Sequence, residues 1–355
     1  MENKVLIEEI LKSIIIPKFK KDIITLNIVK NISEDDQSIK IQLEFPESIG
    51  KVENEIKEQI EDAIHSIEGL ENKKVITETL VSVKANQSKK NILPNVKNVL
   101  AIASGKGGVG KSTTTANLAA ALSQNGAKVG ILDADIYGPS IPIMFGIEGQ
   151  LFADENNRLI PHEKQNIKFV SVGLLSQNKA MIWRGPMVHQ MVHAFLTQVE
   201  WGKLDYLLID LPPGTGDAHL TITQTAPITG AIVVSTPQNV ALEDAKKGIQ
   251  MFEQVQVPIL GLIETMSYFI CDNCDTQHDI FKTGGTEDLA KQQKLTFIGK
   301  IPICKEVVIT SDSGMPVVFS DPKCPAAIAY LEAGKKIMDL VENKASTSTQ
   351  FSMDW

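Results

Sequence analysis

The chain has 355 residues, of which 43% are hydrophobic, and a formal net charge of −8. This length suits about two globular domains, and the acidic balance argues against a nucleic-acid-binding or anionic-membrane-binding protein, which needs a basic surface. Its apolar runs fall far short of the ~20 residues of a membrane span, and no apolar leader opens the sequence. We therefore expect a cytoplasmic protein with no membrane and no nucleic acid among its partners.

Residues 1–84 have the pattern of a small α+β domain. Two segments place apolar residues at helical spacing, and two others have the alternation of strands. A polar stretch with Pro94 follows, and we assign 85–97 to a linker because proline disfavours continuation of a helix. In chain order, we predict a helix over 5–13, a strand over 39–45, a helix over 52–67 and a strand over 74–83.

Residues 98–343 alternate short apolar runs with longer helical patterns. Strands that are apolar throughout and separated by helices indicate a parallel sheet covered on both faces, since parallel neighbours require crossover connections. We therefore predict a doubly wound α/β domain with a mostly parallel sheet. Residues 344–355 are rich in serine and threonine, and we expect a flexible tail there. The predicted strands are 99–103, 129–132, 169–172, 206–211, 231–235 and 259–263.

A glycine-rich segment follows the first of these strands and precedes a helix that begins near Thr113. It fits the P-loop pattern, in which backbone N–H groups and the helix dipole attract phosphate oxygens. We expect ATP here, with Lys111 on the β- and γ-phosphates and Ser112 on Mg²⁺. The fold class is then a P-loop NTPase domain preceded by a small α+β domain. The matching residues are Gly105, Lys106, Gly107, Gly108, Val109, Gly110, Lys111 and Ser112.

Three carboxylates close two other apolar strands. Asp210 ends the strand over 206–211, as a Walker B aspartate does, and is predicted to contact the Mg²⁺ shell. The loop over 212–217 then suits a switch that senses the γ-phosphate. Asp133 and Asp135 close the strand over 129–132 at the edge where open α/β sheets bind ligands, so either can orient the attacking water. For Asp133, a plain loop-capping role is the alternative.

Several sequence runs resemble a known family. Lys106 is the extra lysine of the deviant Walker A group, which includes MinD, ParA and the nitrogenase iron protein. The runs over 133–140, 183–187 and 201–217 resemble the signatures of the Mrp/ApbC iron–sulfur carriers, and the likeness covers about 95–340. The resemblance implies a homodimer in which Lys106 reaches the partner's nucleotide. It also implies that Asp135 supports hydrolysis, with Asp133 and Asp210 nearer the metal.

A Cys-x-x-Cys pair, Cys271 and Cys274, follows the strand over 259–263. Alone, such a pair is half of a zinc site, a redox dithiol or a coincidence. Its placement resembles the cluster-binding element of the family, which implies a [4Fe–4S] cluster held by two thiolates from each of two chains. Zinc would accept the same four thiolates. His278 fits a solvated side chain better than a ligand, and the other two cysteines, Cys304 and Cys324, lack metal spacing and receive no role.

The chain departs from the family pattern at two places. Thr265 stands where many relatives have the asparagine that resembles an adenine contact, and threonine cannot make a two-sided amide contact. The N-terminal domain resembles one found ahead of bacterial Mrp-type ATPases, yet it contains no cysteine. We expect a docking role for that domain rather than sulfur transfer.

The predicted function is an ATP-hydrolysing carrier that takes a cluster from an iron–sulfur donor and transfers it to recipient apoproteins. The terminal tripeptide Met353 to Trp355 ends in an aromatic ring beside two carboxylates, and our hypothesis is that it recruits a donor or a recipient. The alternative is a tail that folds back onto its own domain or has no role, as termini are usually poorly ordered. One rival is a MinD/ParA-like positioning ATPase, although no basic amphipathic helix closes the sequence. The other is an ATP-driven reductase like the nitrogenase iron protein, whose cluster cysteines lie far apart in sequence.

Overall fold

A computed structural model of the chain describes residues 2–16, 21–26, 28–34, 38–45, 51–67, 69–71, 73–81, 92–175 and 185–350. The chain divides into two compact units, Met1–Asn91 and Ile92–Trp355. Most of the segment that we assigned to a linker, and the predicted signature residues Trp183 and Arg184, lie outside the described residues. The terminal Phe351 to Trp355 lies outside them as well.

The N-terminal unit builds its core on isoleucine at regular spacing. On the second helix, Ile56, Ile60 and Ile64 recur every four residues and are almost fully buried, as an amphipathic helix requires. A three-stranded sheet packs its apolar face onto the same core, and the α+β prediction is confirmed. Its elements are α1 (Glu2–Leu11), β1 (Ile15–Ile16), β2 (Lys21–Asp22), β3 (Val29–Glu34), β4 (Ser38–Phe45), α2 (Lys51–His65) and β5 (Lys74–Val81).

Helices and strands alternate through the second unit. Each predicted strand is present, although β6 begins inside the segment assigned to the linker. The last helix runs through Gln350, so it includes residues 344–350 that we assigned to the tail. The elements are β6 (Val96–Ser104), α3 (Lys111–Gln124), β7 (Val129–Asp133), α4 (Ile141–Met144), β8 (Phe152–Ala153), β9 (Leu159–Ile160), β10 (His162–Lys164), β11 (Ile167–Ser171), α5 (Gly185–Thr197), β12 (Leu204–Asp210), α6 (Asp217–Thr225), β13 (Gly230–Ser235), α7 (Asn239–Gln254), β14 (Ile259–Glu264), β15 (Phe269–Ile270), β16 (Gln277–His278), α8 (Gly285–Gln292), β17 (Phe297–Lys300), α9 (Lys305–Asp312), α10 (Val317–Ser320) and α11 (Pro325–Gln350).

Eight described strands of this unit form one sheet in the order β10-β11-β7-β12-β6-β13-β14-β17. All neighbours pair in parallel except β10 and β11. From β6 the chain moves first toward β7 and β11 and later toward β13 and β14, so the direction of winding reverses beside β6. A ligand crevice opens at such a reversal, outside the carboxyl ends of the strands. The doubly wound prediction is confirmed.

The central strands are buried on both faces, which explains their uninterrupted apolar sequence. Along β12, Leu207 and Ile209 face one hydrophobic cluster, whereas Tyr206 and Leu208 face the other. Successive side chains of a strand point to opposite faces, so both faces need a helical cover. None of the described helices combines the length and the apolar character that crossing a bilayer demands.

Candidate nucleotide and cysteine sites

The P-loop connects the end of β6 to the start of α3. Gly110 has a φ of 79°, a left-handed conformation that favours glycine, and it precedes the first helical residue without any side-chain cap. At Gly105 a Cβ atom would lie 2.2 Å from the backbone of Asp244 in α7, so only glycine fits between loop and helix. The first N–H groups of α3 thus remain available to an anion at the positive end of the helix dipole.

Asp210 joins the P-loop lysine to two hydroxyl groups at the end of β12. Its carboxylate is fully buried and lies 2.8 Å from Lys111 Nζ. Ser112 Oγ donates a hydrogen bond of 2.6 Å to Oδ2, and Thr115 Oγ1 donates one of 2.6 Å to Oδ1. A buried carboxylate is tolerated when it is paired and hydrogen-bonded in this way. The predicted Lys111, Ser112 and Asp210 are therefore in direct contact.

Sequence reasoning missed Thr115. It follows Lys111 by four residues in α3, so both side chains lie on one face of the helix. The four-residue spacing could have predicted this contact, because the helix face that carries Lys111 must face the Walker B carboxylate, Asp210. Thr115 holds the second oxygen of Asp210 and so fixes the orientation of the carboxylate.

Asp133 lies beside Asp210 because their strands are neighbours in register. The two residues pair across β7 and β12, and Asp133 is fully buried. Burial, followed by repulsion from Asp210, raises the pKa of the Asp133 carboxyl to about 8. Ser171 Oγ donates a hydrogen bond of 2.9 Å to Asp133, and the N–H of Ile141 donates one of 3.3 Å. Asp133 therefore fixes the loop that follows β7, in agreement with the loop-capping alternative.

Asp135 reaches the same lysine from that loop. Its Oδ2 lies 3.4 Å from Lys111 Nζ, while Oδ1 accepts hydrogen bonds of 3.3 Å from the N–H groups of Tyr137 and Gly138. Among the carboxylates of the candidate site, Asp135 thus belongs to a loop rather than to a strand. It is placed to act at the phosphate end of the P-loop.

Lys106 differs from Lys111 in its surroundings. The Lys106 side chain is only half-buried, and its ammonium forms no ion pair with another residue in the described part of the chain. Lys111 is 6% exposed and contacts two carboxylates. Lys111 is thus paired with carboxylates of its own chain, whereas the Lys106 ammonium is available to contact another molecule.

The segment over 212–217 lies against the P-loop. Gly214 N–H donates a hydrogen bond of 2.9 Å to the carbonyl of Ser104 at the end of β6. The Gly214 carbonyl is 2.7 Å from Nδ1 of His219, a buried residue whose Nε2 has no hydrogen-bond partner among the described residues. Burial lowers the pKa of His219 to about 4, so the ring is neutral at physiological pH and donates from Nδ1. Nothing in the sequence pattern singled out His219.

An apolar pocket of about 220 Å³ opens beside the P-loop. Gly110, Thr113, Phe281 and Tyr330 contribute to its wall together with Thr265. The Thr265 hydroxyl donates a hydrogen bond of 2.7 Å to the carbonyl of Val109, so it supports the loop backbone. A flat aromatic ring suits an apolar pocket of this kind.

The Cys-x-x-Cys pair lies in the turn between β15 and β16. Cys271 is half-buried and Cys274 is exposed. Cys274 Sγ lies 3.3 Å from the Thr276 hydroxyl, and its hydrogen bonding with Thr276 lowers the pKa of the Cys274 thiol, which favours the thiolate that binds metal. Asp272 forms an ion pair with Lys305 at the start of α9. This ion pair connects the turn to α9, and His278 is exposed on β16.

The remaining two cysteines meet in the fold. Cys304 Sγ lies 2.7 Å from Cys324 Sγ and 2.8 Å from the carboxylate of Glu306. Both cysteines, with Cys271, line one cleft of about 310 Å³. The expectation that they lack a partner at metal spacing is wrong, because the chain passes through α9 and α10 and returns to the same place at a sequence separation of 20. No local sequence spacing carries that information.

These features define a P-loop NTPase. A strand, a glycine loop and a helix follow one another, and a lysine and a serine of the loop face an aspartate at the end of a neighbouring strand. The family model described as NUBPL iron-transfer P-loop NTPase matches residues 95–338, and the chain belongs to this family. The model described as iron-sulfur cluster assembly protein matches residues 4–76. The Mrp/ApbC resemblance is confirmed by relatives that carry the name iron-sulfur cluster carrier protein.

Individual proteins give the same result. The iron-sulfur cluster carrier protein of Synechocystis is 39% identical over 335 residues, which cover 93% of this chain and 95% of that protein. The solved nucleotide-binding protein of Archaeoglobus fulgidus in complex with ADP is 42% identical with a TM-score of 0.57, covering 66% of this chain and 91% of that one. The cell division ATPase MinD of Pyrococcus furiosus, 19% identical with a TM-score of 0.54 over 68% of this chain and 99% of that one, shares the fold.

Proposed function

We propose that the chain is a cytoplasmic, ATP-hydrolysing carrier that binds a [4Fe–4S] cluster between two copies of itself and passes it to apoproteins. The observation that carries the proposal is the presence, in one unit, of the buried P-loop constellation around Asp210 and a surface turn with two thiols. Family membership supports the cargo, because relatives of the chain are named as iron-sulfur cluster carriers.

At the nucleotide end, Lys111 binds the β- and γ-phosphates together with the backbone N–H groups from Gly105 to Thr113. Ser112 and Asp210 supply the hydroxyl and carboxylate oxygens that Mg²⁺ prefers, and they are already within 2.6 Å of each other. When bound, Mg²⁺ neutralises charge that develops on the phosphates. Asp210 keeps Ser112 oriented, and its own orientation depends on Thr115.

Asp135 is the residue that we assign to hydrolysis. It lies at the Lys111 ammonium, and its second oxygen is held by two backbone N–H groups, so its position is preorganised. A carboxylate there accepts the hydrogen bond of a water molecule that attacks the γ-phosphate. Asp133, whose oxygens are used by the loop and by Ser171, positions Asp135 rather than contacting the substrate.

The homodimer joins both ends of the carrier. Lys106 has no carboxylate partner in its own chain among the described residues, which suits a lysine that reaches the nucleotide of the second copy. A [4Fe–4S] cargo needs four thiolates, and Cys271 and Cys274 from two chains provide them. An exposed cargo site is also what transfer requires, since the recipient's thiolates must reach the iron atoms.

The pocket beside the P-loop and the cysteine cleft share part of their lining, which can couple the nucleotide site to the cargo site. Pro302, Ile303 and Cys304 line both the apolar pocket beside the P-loop and the cleft that contains Cys271. We assign the adenine ring to the apolar pocket, where Thr265 supports the loop without contacting the base edge. Filling the pocket then constrains the 302–304 segment, which forms one side of the cysteine cleft. ATP binding and hydrolysis are thereby coupled to cluster release.

Anaerobic reconstitution with ferrous iron and sulfide tests this function. We expect about two sulfides per chain with about two irons bound to them, no zinc at Cys271 and Cys274, and transfer of the cluster to an apo-dehydratase that needs [4Fe–4S]. Cys271→Ser with Cys274→Ser abolishes the uptake of sulfide and of these two irons and leaves ATP hydrolysis intact, whereas His278→Ala in the same hairpin keeps both. Zinc uptake without sulfide that the double variant loses, or about two sulfides per chain in the double variant, contradicts the proposal.

The same preparation separates the rival functions. A positioning ATPase sediments with anionic vesicles or DNA in the presence of ATP and needs no cluster for this. A reductase passes electrons to an acceptor when ATP is hydrolysed and retains its iron. If the protein is a carrier, the recipient gains as much iron as the carrier loses, and the carrier sediments with neither vesicles nor DNA.

A further inference from the structure

A second group of metal-binding side chains lies beside the Cys-x-x-Cys turn. The Sγ atoms of Cys304 and Cys324 are 2.7 Å apart, and Glu306 Oε2 is 2.8 Å from Cys304 Sγ. One ligand atom from each of the three residues lies within 4.8 Å of the other two. Two thiolates on one tetrahedral ion lie ~3.8 Å apart because each metal–sulfur bond is ~2.3 Å long. The two sulfur atoms must therefore separate by about 1 Å, through rotation of the side chains, when an ion binds between them.

The backbone holds the two cysteines in place. Ile303 N–H donates a hydrogen bond of 2.7 Å to the carbonyl of Tyr268, which fixes the segment that leads to Cys304. Cys324 N–H donates one of 3.1 Å to the carbonyl of Asp321. Cys304 immediately precedes α9, and Cys324 immediately precedes α11. Ligands on element ends that are fixed in this way need little reorganisation when an ion binds.

The site lies where the core meets a cleft, since Cys324 is 5% exposed and belongs to the core, whereas Cys304 and Glu306 are half-buried. The cleft of about 310 Å³ is lined by Cys304, Glu306 and Cys324, and also by Cys271 and Asp272 of the surface turn. Cysteines that serve only as small apolar side chains do not require a carboxylate against the sulfur or access to solvent. The donor set has the softness that selects iron, zinc or cobalt over magnesium and calcium.

We propose that Cys304, Cys324 and Glu306 form a site within one chain for a single thiophilic divalent cation such as Fe²⁺ or Zn²⁺. Binding releases the two thiol protons to solvent, and three protein ligands leave a fourth position open. A structural zinc site is closed by four protein ligands, so the open position marks an exchangeable ion. The position faces the cleft that Cys271 shares, next to the proposed cluster cargo.

The site can be tested without the cluster in a chain that carries Cys271→Ser and Cys274→Ser. The reduced protein is titrated with Co²⁺ under anaerobic conditions, and sulfur-to-cobalt charge-transfer absorption reports thiolate binding. We expect one equivalent per chain, displaced by Zn²⁺ or by Fe²⁺ in separate arms that identify the preferred ion. Adding Cys304→Ser and Cys324→Ser removes the signal. Glu306→Gln weakens Co²⁺ binding at least about tenfold, whereas the exposed Asp312→Asn of the same helix does not.

A second measurement keeps Cys304 and Cys324 in place and so does not depend on whether their serine variants fold. In the chain with Cys271→Ser and Cys274→Ser, bound cation protects Cys304 and Cys324 from alkylation, and peptide mass spectrometry locates the protected thiols. If the folded, reduced chain binds neither Co²⁺, Zn²⁺ nor Fe²⁺, the proposal is overturned. It is equally overturned if the reduced pair forms a disulfide with added glutathione disulfide while cation gives no protection. Because Cys271 and Cys274 are absent throughout, these outcomes do not depend on the cluster-carrier proposal.

Discussion

The second unit contains two sites that differ in burial and in charge pairing. We call the site around Lys111 and Asp210 the nucleotide end, and the turn with Cys271 and Cys274 the cysteine end. At the nucleotide end, Asp210 is fully buried and Lys111 is 6% exposed, and each charge has a partner within the chain. At the cysteine end, Cys274 is exposed, and Asp272 and Lys305 pair at the surface. Phosphoryl transfer depends on preorganised charge in a water-excluded site, whereas a cargo site must admit another protein. We therefore expect variants at the two places to lose the two proposed activities separately.

The largest expected effect is on hydrolysis, from Lys111→Ala. The change removes the cation that opposes negative charge on the transferred phosphate, so ATPase activity falls at least about a hundredfold. Iron uptake by the cysteine end remains at the wild-type amount, as measured by reconstitution. Lys247→Ala, at an exposed lysine paired with Asp244, is the control and keeps both activities. Undiminished ATP turnover in Lys111→Ala refutes the assignment of this lysine.

Asp135→Ala is expected to separate nucleotide binding from hydrolysis. Lys111 and Asp210 remain to bind ATP and Mg²⁺, but the attacking water loses its acceptor, so hydrolysis slows about a hundredfold. Fluorescent-nucleotide binding, phosphate release and the dimer fraction in ATP measure the three consequences. We expect unchanged binding and a longer-lived dimer. Normal hydrolysis moves the role to Asp133 or to the exposed Asp217, which Asp217→Ala tests.

The pH dependence of stability should arise partly at His219. The folded state holds the ring neutral, with a pKa of about 4 against an ordinary 6.5. Its contribution is therefore complete above pH 6.5 and is lost as the pH falls toward 4. The loss amounts to about 3 kcal/mol. His219→Asn keeps a donor for the Gly214 carbonyl without titrating, so urea unfolding at several pH values should show a smaller decline over that range. An equal decline in both proteins contradicts this origin.

The smallest expected effect concerns transfer alone. Deletion of residues 351–355 removes the aromatic and acidic terminus that we expect to recruit a donor or a recipient, and the transfer rate falls about tenfold or less. ATPase activity and cluster loading stay at wild-type values, since neither site includes these residues. Replacing the same five residues by glycine and serine controls for tail length. Equal transfer to several recipients with and without the terminus excludes the recruiting role.

Much of the nucleotide end could be predicted from sequence because each of its signals is local. The P-loop is a contiguous run, and strand-end aspartates such as Asp210 are marked by the apolar residues before them. The carboxyl ends of neighbouring parallel strands meet at one edge, so the pattern predicts the contact between Lys111 and Asp210 that the structure has. The proposed roles of Lys106 and Asp135 in hydrolysis remain predictions.

The sequence by itself determined the fold class, the family and the identity of the phosphate-binding loop, since short motifs and hydrophobic periodicity encode them within a few residues. Only the tertiary structure decided that His219 contacts the 212–217 segment, that Thr265 supports the P-loop backbone, and that Cys304 meets Cys324. These contacts join segments that are distant along the chain or lack a pattern. Cys304 and Cys324, for example, meet because α9 and α10 fold back between them, and such packing between elements leaves no spacing rule in the sequence.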